Sequence, residues 1–421
     1  LLTKISRPRH WRLWAVPILG VPLSVIVGYF LMVIINHESS YAQRDFGLYE
    51  RLLTQPRVLL DYIGNLLLPI ATPSVLHDDF EVSSGLFSPL TTLPSILVIA
   101  ALLVVGWRLR AKHPMLSFAI LWFFGAHLLE STVLPLEIYF EHRNYLPSVG
   151  PALAVAFYLY RLLAAYGKTV YSAVVVLLGT IMFGGVWHYS GIWGDEQRLA
   201  QVWVDEAPQS VRRMVFKMNH YLMTGDLKQA DRVAAVNYQR HPGRLGVQIF
   251  NLATGCISNR LGKQDYTDVV QAAHSRSIDT ETMPALIRLY EGIAKGYCKQ
   301  ISWRGLEHIL NNLLANPDIE QWQWIVPNAY KMIGEINRTL ERFPKAVTAY
   351  KNALAAEPGV DLALKLAYFY FTAGEYQQAQ HYIAEAKRID GARKLWLPSQ
   401  QTRIDAAQRR VEEAIQQHGG G

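Results

Sequence analysis

The chain has 421 residues, enough for two or three domains. Hydrophobic residues make up 51% and charged residues only 18%, with a formal net charge of +7. That balance argues against a nucleic-acid-binding protein, because no basic run interleaved with aromatics accompanies the excess of Lys and Arg.

Two cysteines, Cys256 and Cys298, are too few for a disulfide scaffold or a zinc site. They could pair with each other if their alpha carbons lie within roughly 7 Å, or stay as buried thiols. The chain opens on Leu1 rather than Met, so a fragment or a processed chain is expected. The first hydrophobic run is too long for a signal-peptide core and has no small-residue cleavage site.

Leu13–Ile35 carries no charge, and about 20 apolar residues suffice to cross a bilayer. Arg7, Arg9 and Arg12 precede it and place its N-terminus in the cytoplasm. Further spans are expected at Ser83–Trp107, Pro114–Leu129, Leu146–Tyr160 and Val170–Trp187, about five in all. Arg108, Arg110, Lys112 and Lys168 then fall inside. Between the first two spans, residues 58–70 are interrupted by Asp61 and Pro69 and are too short to cross, so a re-entrant or interfacial helix is expected there. Trp11, Trp14, Trp107, Tyr145, Tyr166, Trp187, Tyr189 and Trp193 fall at span ends, as an aromatic belt does.

After residue 190 the pattern becomes helical and more charged. Tyr330, Ile333, Gly334, Ala346, Tyr350, Ala353 and Pro358 have tetratricopeptide spacing. Leu366, Ala367, Tyr370, Gly374, Ala379, Ile383 and Ala386 repeat the frame. A weaker copy includes Gly225, Asp226, Ala230 and Pro242, and Leu245–Leu314 reads as degenerate helical pairs. Met218, Tyr221 and Met223 read as core. Arg403–His418 reads as a polar capping helix and 419–421 as a disordered tail. The expected fold is therefore all-α: a transmembrane helical domain over 1–190, then a tetratricopeptide-type α-solenoid over 191–418.

The densest polar cluster is the short external loop from Glu130 to Pro147, with Glu137, Glu141, His142 and Arg143. Charge at a membrane face is costly unless paired or functional. An Arg beside a His suits a lipid-linked phosphate, because guanidinium offers a two-pronged fork. The plainer reading is a Glu–Arg-paired turn that ties two helices together. Arg44, Asp45, Glu50 and Arg51 form a second cluster. His77, Asp78 and Asp79 form a weaker third, which could hold a metal or act as a base, although a solvated loop is the commoner role. No phosphate-cradling Gly-rich loop, nucleophile elbow or metalloprotease motif occurs.

Glu141-His142-Arg143-Asn144-Tyr145-Leu146-Pro147-Ser148 after a span, with a membrane exit at Trp187–Trp193 leading into the repeats, resembles bacterial relatives of the transmembrane and tetratricopeptide-repeat O-mannosyltransferases. Tyr41–Phe46, Glu50–Val58 and His77–Phe80 resemble the same group. The resemblance implies a polytopic glycosyltransferase of the C type. Such an enzyme takes a sugar from a polyprenyl-phosphate carrier and transfers it outside the cytoplasm to a protein or glycan. It implies a bacterial inner-membrane protein with a periplasmic repeat domain that binds an acceptor or partner. The donor is a substrate, and no metal or other cofactor is expected.

The family's catalytic acid lies on an external loop of a larger membrane domain, so the catalytic residue stays unknown. Glu141, His142, Arg143, Asn144 and Tyr145, with Arg44, are the carrier-phosphate candidates, and His77, Asp78 and Asp79 are weaker ones. Two other expectations remain: a non-enzymatic membrane-anchored scaffold for an envelope complex, and a ligase for lipid-linked oligosaccharide.

Overall fold

The computed structural model describes residues 11–41, 43–67, 80–392 and 398–418. Among them the chain forms nineteen α-helices and no strand. It divides into two units, Leu1–Asp226 and Leu227–Gly421.

The first unit begins with α1 (Trp11–Ile35), the short α2 (His37–Tyr41) and α3 (Leu48–Leu67). It continues through α4 (Thr92–Leu109), α5 (Pro114–His127), α6 (Tyr145–Leu163) and α7 (Lys168–Trp193). It closes with α8 (Glu196–Glu206) and α9 (Val211–Thr224). Among the described residues, three helical stretches are long and apolar enough to cross a membrane: Thr92–Leu109, Glu141–Tyr166 and Lys168–Trp193. Two of the five expected spans are not among them. Helix α1 covers the first, but its side chains are described continuously only from Leu23. Helix α5 has 14 residues, or roughly 21 Å of rise against about 30 Å of hydrocarbon.

None of the apolar window in α7 is buried by the rest of the chain. Side chains such as Met182, Phe183 and Val186 need a lipid environment to cover them. Trp107, Tyr145, Tyr166 and Trp187 are exposed at helix ends, where amphipathic rings meet the headgroups.

Helices α5 and α6 approach closely at Gly150, where an added Cβ would sit 2.8 Å from Trp122. The expected short helix at 58–70 proves to be the second half of α3, which starts at Leu48; 68–70 lie outside the described residues. Its buried face includes Arg51, Gln55, Val58, Leu59 and Tyr62, spaced three or four apart.

Asp195 and Ser210 cap α8 and α9 by accepting from the amides of Arg198 and Arg213 at 3.0 and 3.1 Å. These two helices fall in the first unit, whereas the sequence boundary stood at 190/191. The cause is long-range: Arg212 of α9 pairs with Glu137, and Trp203 of α8 lies edge-on to Trp193 at 5.6 Å. Met218 is buried in this unit, but Met223, expected in the core with it, is exposed in the last turn of α9.

The second unit comprises α10 (Leu227–Arg240), α11 (Leu245–Ile257), α12 (Lys263–Ser275), α13 (Thr282–Ala294) and α14 (Trp303–Leu314). It ends with α15 (Ile325–Thr339), α16 (Phe343–Ala356), α17 (Val360–Thr372), α18 (Tyr376–Gly391) and α19 (Gln401–His418). Helix α11 is apolar and almost wholly buried. Cys256 on α11 and Cys298, after α13, are joined in a disulfide with alpha carbons 4.9 Å apart.

Helices α15 and α16 pack as a pair, as do α17 and α18. Gly334 is where α15 meets α16, because a Cβ there would overlap the Tyr350 ring. Ala346, Tyr350, Ala353, Leu366, Ala367, Ala379, Ile383 and Ala386 share one core, which Ile404 and Val411 of α19 join. Asp390 sets the start of α19 by accepting from Ser399 Oγ at 2.6 Å and the amide of Gln400 at 2.9 Å. The tail at 419–421 lies outside the described residues.

Candidate functional site

The loop between α5 and α6 has little regular structure of its own, so its carbonyls need donors from elsewhere. Helix α3 and the chain just before it supply them. Tyr41 Oη donates to Val133 O at 2.9 Å, and Arg44 Nε to Pro135 O at 2.8 Å. Arg51 donates from Nε to Thr132 O at 3.0 Å and from Nη2 to Glu130 O at 2.6 Å. Its Nη1 reaches Leu136 O at 2.5 Å and Glu137 O at 3.2 Å. Gln55 Nε2 donates to Ile138 O at 2.9 Å, and Tyr62 Oη to Phe140 O at 2.7 Å. From Gln55 to Tyr62 the loop advances from Ile138 to Phe140, so it runs beside α3 in the same direction. Burial pushes the Arg51 guanidinium down to about 10, still charged at neutral pH.

The six leading candidates separate on this geometry. Arg143 is 6% exposed, with Nη1 donating to Glu137 O at 2.5 Å and Nε 3.6 Å from Glu130 Oε2. It serves the loop that carries it. Asn144 Nδ2 donates weakly to Tyr62 O at 3.4 Å. Glu141 is half-buried in a short 3-10 helix, Glu141–Asn144. His142 is exposed, with its ring 4.3 Å from that of Phe140, and Tyr145 is 78% exposed. Arg44 is partly exposed and places Nη1 2.6 Å from Glu137 Oε1. His77, Asp78 and Asp79 lie outside the described residues. Of the second cluster, Glu50 caps α3 by accepting from the Gly47 amide at 2.8 Å.

Glu137 itself is the junction. Its Oε1 also receives Arg212 Nη1 at 3.2 Å. Burial alone would raise its pKa, but Arg212 and Arg44 outweigh that and hold the carboxyl below the usual range.

Beyond the loop, α3, α4, α5 and α6 line an open cavity of about 530 Å³. Its walls are apolar and include Leu66, Leu102, Phe123, Ala154, Val155 and Leu159. Phe123 connects it to the loop: its ring lies 4.8 Å from His127, which stacks on Tyr62 at 5.3 Å. Arg143 does not line it.

Sequence reasoning passed over Gln55 and Tyr62 as anchors and Arg212 as a partner of the loop. The first two had a signal, since Arg51, Gln55, Val58 and Tyr62 recur at one-turn spacing. Arg212 had none, because nothing local connects α9 to Glu137. Among the described residues no group of His, Cys, Asp and Glu is arranged to hold a metal ion. Compared with known proteins, the chain matches no family model and no curated protein.

Proposed function

We propose that this chain is part of a membrane glycosyltransferase that draws a sugar from a polyprenyl-phosphate carrier and delivers it outside the cytoplasm. The observation that carries this reading is the apolar cavity between α3 and α6. It lies among helices suited to a bilayer, is sized for part of a long hydrocarbon chain, and neighbours the α5–α6 loop, against which Arg44 sits. A carrier of this class has an apolar chain and an anionic head, and the two features answer to those two parts. The catalytic group is left unassigned.

The second unit is read as a tetratricopeptide-type solenoid that holds a protein partner or acceptor. Its support is the Gly334–Tyr350 approach and the small residues buried at repeat spacing in α15–α18. An inner-membrane protein with periplasmic repeats fits the basic flanks at Arg108–Lys112 and Lys168, and fits a disulfide, which persists in an oxidising compartment. Labelling a cysteine placed at Gln401 tests the orientation, and protection from periplasmic reagents would reverse it.

The binding test uses the purified chain in nanodiscs and polyprenyl phosphate, read by native mass spectrometry. Wild type should retain the lipid, and Ala154→Trp, which fills the cavity, should not. Equal retention by both variants, or none by wild type, sinks the proposal. A second reading, a non-enzymatic scaffold, is favoured by one observation: Arg51 and Arg143 both donate to the loop's own carbonyls.

A further inference from the structure

Within the second unit, α13 and α15 border an open groove of about 330 Å³. Its apolar walls include Met283 and Ile287 of α13 and Met332 of α15. Ile287 is 45% exposed, a branched apolar side chain that the fold leaves uncovered. Methionine is unbranched and polarizable, so it adapts its shape to an incoming group.

Two polar atoms stand among these side chains without a partner. Trp324, just before α15, has its indole Nε1 buried and bonded to no acceptor among the described residues. Asn328 spends its Nδ2 on the carbonyl of Trp324 at 2.8 Å, which leaves its Oδ1 open to a donor. The charges at the rim are spent on one another. Lys331 Nζ lies 2.8 Å from Glu357 Oε2, and Glu335 is held by both Arg338 and Lys365. A charged occupant would lose its hydration there and gain no partner.

We infer that this groove receives one uncharged apolar side chain of an extended polypeptide, whose backbone pairs with Trp324 and Asn328. A peptide unit carries one carbonyl acceptor and one N–H donor, and these answer Trp324 Nε1 and Asn328 Oδ1. Nε1 is covered in the free chain, so the indole tips as the carbonyl arrives. A hydrocarbon chain would fill the same space but leave the indole donor unpaired, at the penalty that burial carries. The volume stands near the lower end for ligand pockets, which suits one side chain and its flanking backbone. The inference rests on the reading of the second unit as a solenoid that holds a protein partner. It adds where that partner sits and what chemistry it presents.

The test uses the full chain in phosphatidylcholine nanodiscs and fluorescence anisotropy of labelled, end-blocked alanine-based peptides. The peptides differ at one central position, which is leucine, aspartate or lysine. The leucine peptide should bind at least about tenfold more tightly than the other two. Ile287→Asp should weaken it by about tenfold or more, by placing a charge where the apolar side chain docks. Trp324→Phe, which removes the indole donor, should weaken it about fivefold. An ester in place of the central amide should weaken it too, since the donor to Asn328 is lost. A plain hydrophobic surface would not register that last change.

Equal affinity for the three peptides, or full affinity in both variants, overturns the groove. Should Ile287→Asp fail to fold, Trp324→Phe and the ester decide. Self-association that Ile287→Asp abolishes, without peptide binding, assigns the groove to a second copy and overturns the proposal. Peptide binding that persists in both variants places the partner elsewhere on the second unit, so the groove falls and the solenoid reading stands. No binding of any peptide counts against both.

Discussion

Arg51 Nη2 donates to the carbonyl of Glu130 at 2.6 Å from a side chain with no exposed surface. The same guanidinium serves three other carbonyls of the loop. Arg51→Ala should therefore leave several buried acceptors unpaired and cost about 3 kcal/mol or more. Arg51→Lys should cost less but remain clearly destabilising, since an ammonium lacks the spread of donors. Thermal unfolding in detergent should rank Arg51→Ala below Arg51→Lys, and both below Arg44→Ala. Equal melting of Arg51→Ala and wild type would refute the clamp.

Gly334 leaves no room for a side chain beside Tyr350. Alanine is the better helix former by about 1 kcal/mol, yet Gly334→Ala should still destabilise, by about 1–3 kcal/mol of overpacking. Tyr350→Leu in the same chain should recover part of the loss. A stabilised Gly334→Ala protein would mean that the two helices have room to separate.

The Cys256–Cys298 bridge closes a sequence separation of 42, which in the chain-entropy account contributes roughly 3–4 kcal/mol. Reductant should lower the unfolding temperature of wild type. It should leave a Cys256→Ser, Cys298→Ser double variant unchanged. Identical shifts in both proteins would show that the reductant acts elsewhere.

Glu137 makes stability depend on acidity in a definite direction. Its folded carboxyl lies below the ordinary value because Arg212 and Arg44 outweigh burial. Stabilisation is then fully present above the unfolded value, about 4.3 for a glutamate, and lost as pH falls through the lower folded one. The melting difference between wild type and Glu137→Gln should be level from about pH 7 to pH 5 and narrow at lower pH. A difference that widens with acid would reverse the assignment.

Some of this was readable from residues alone. Helices α4 and α7 were legible as uncharged runs ending in Arg108 and beginning at Lys168. The α15–α18 pairs were legible because Gly334 and the alanines of α16 and α18 mark close approach. The first half of α3 was not, since its loop-facing side carries Arg51 and Gln55 where an apolar stripe would mark burial. Arg44, singled out by its cluster of charges, meets Glu137. The engagement of Arg143 with its own loop, and the part played by Arg212, depend on where carbonyls and a distant helix come to lie. No spacing encodes either.

Side chains of α3 give the bonds that hold the α5–α6 loop, and peptide carbonyls of the loop receive them. Every amino acid carries that carbonyl. Thr132 and Leu136 can therefore change identity and remain tethered, whereas Ile138 is also held by its buried side chain, and Arg51, Gln55 and Tyr62 cannot change. Outside its buried Ile138 and Tyr139 the loop is in effect an interchangeable insert on a fixed mount, and its sequence can vary without rebuilding the helices that carry it.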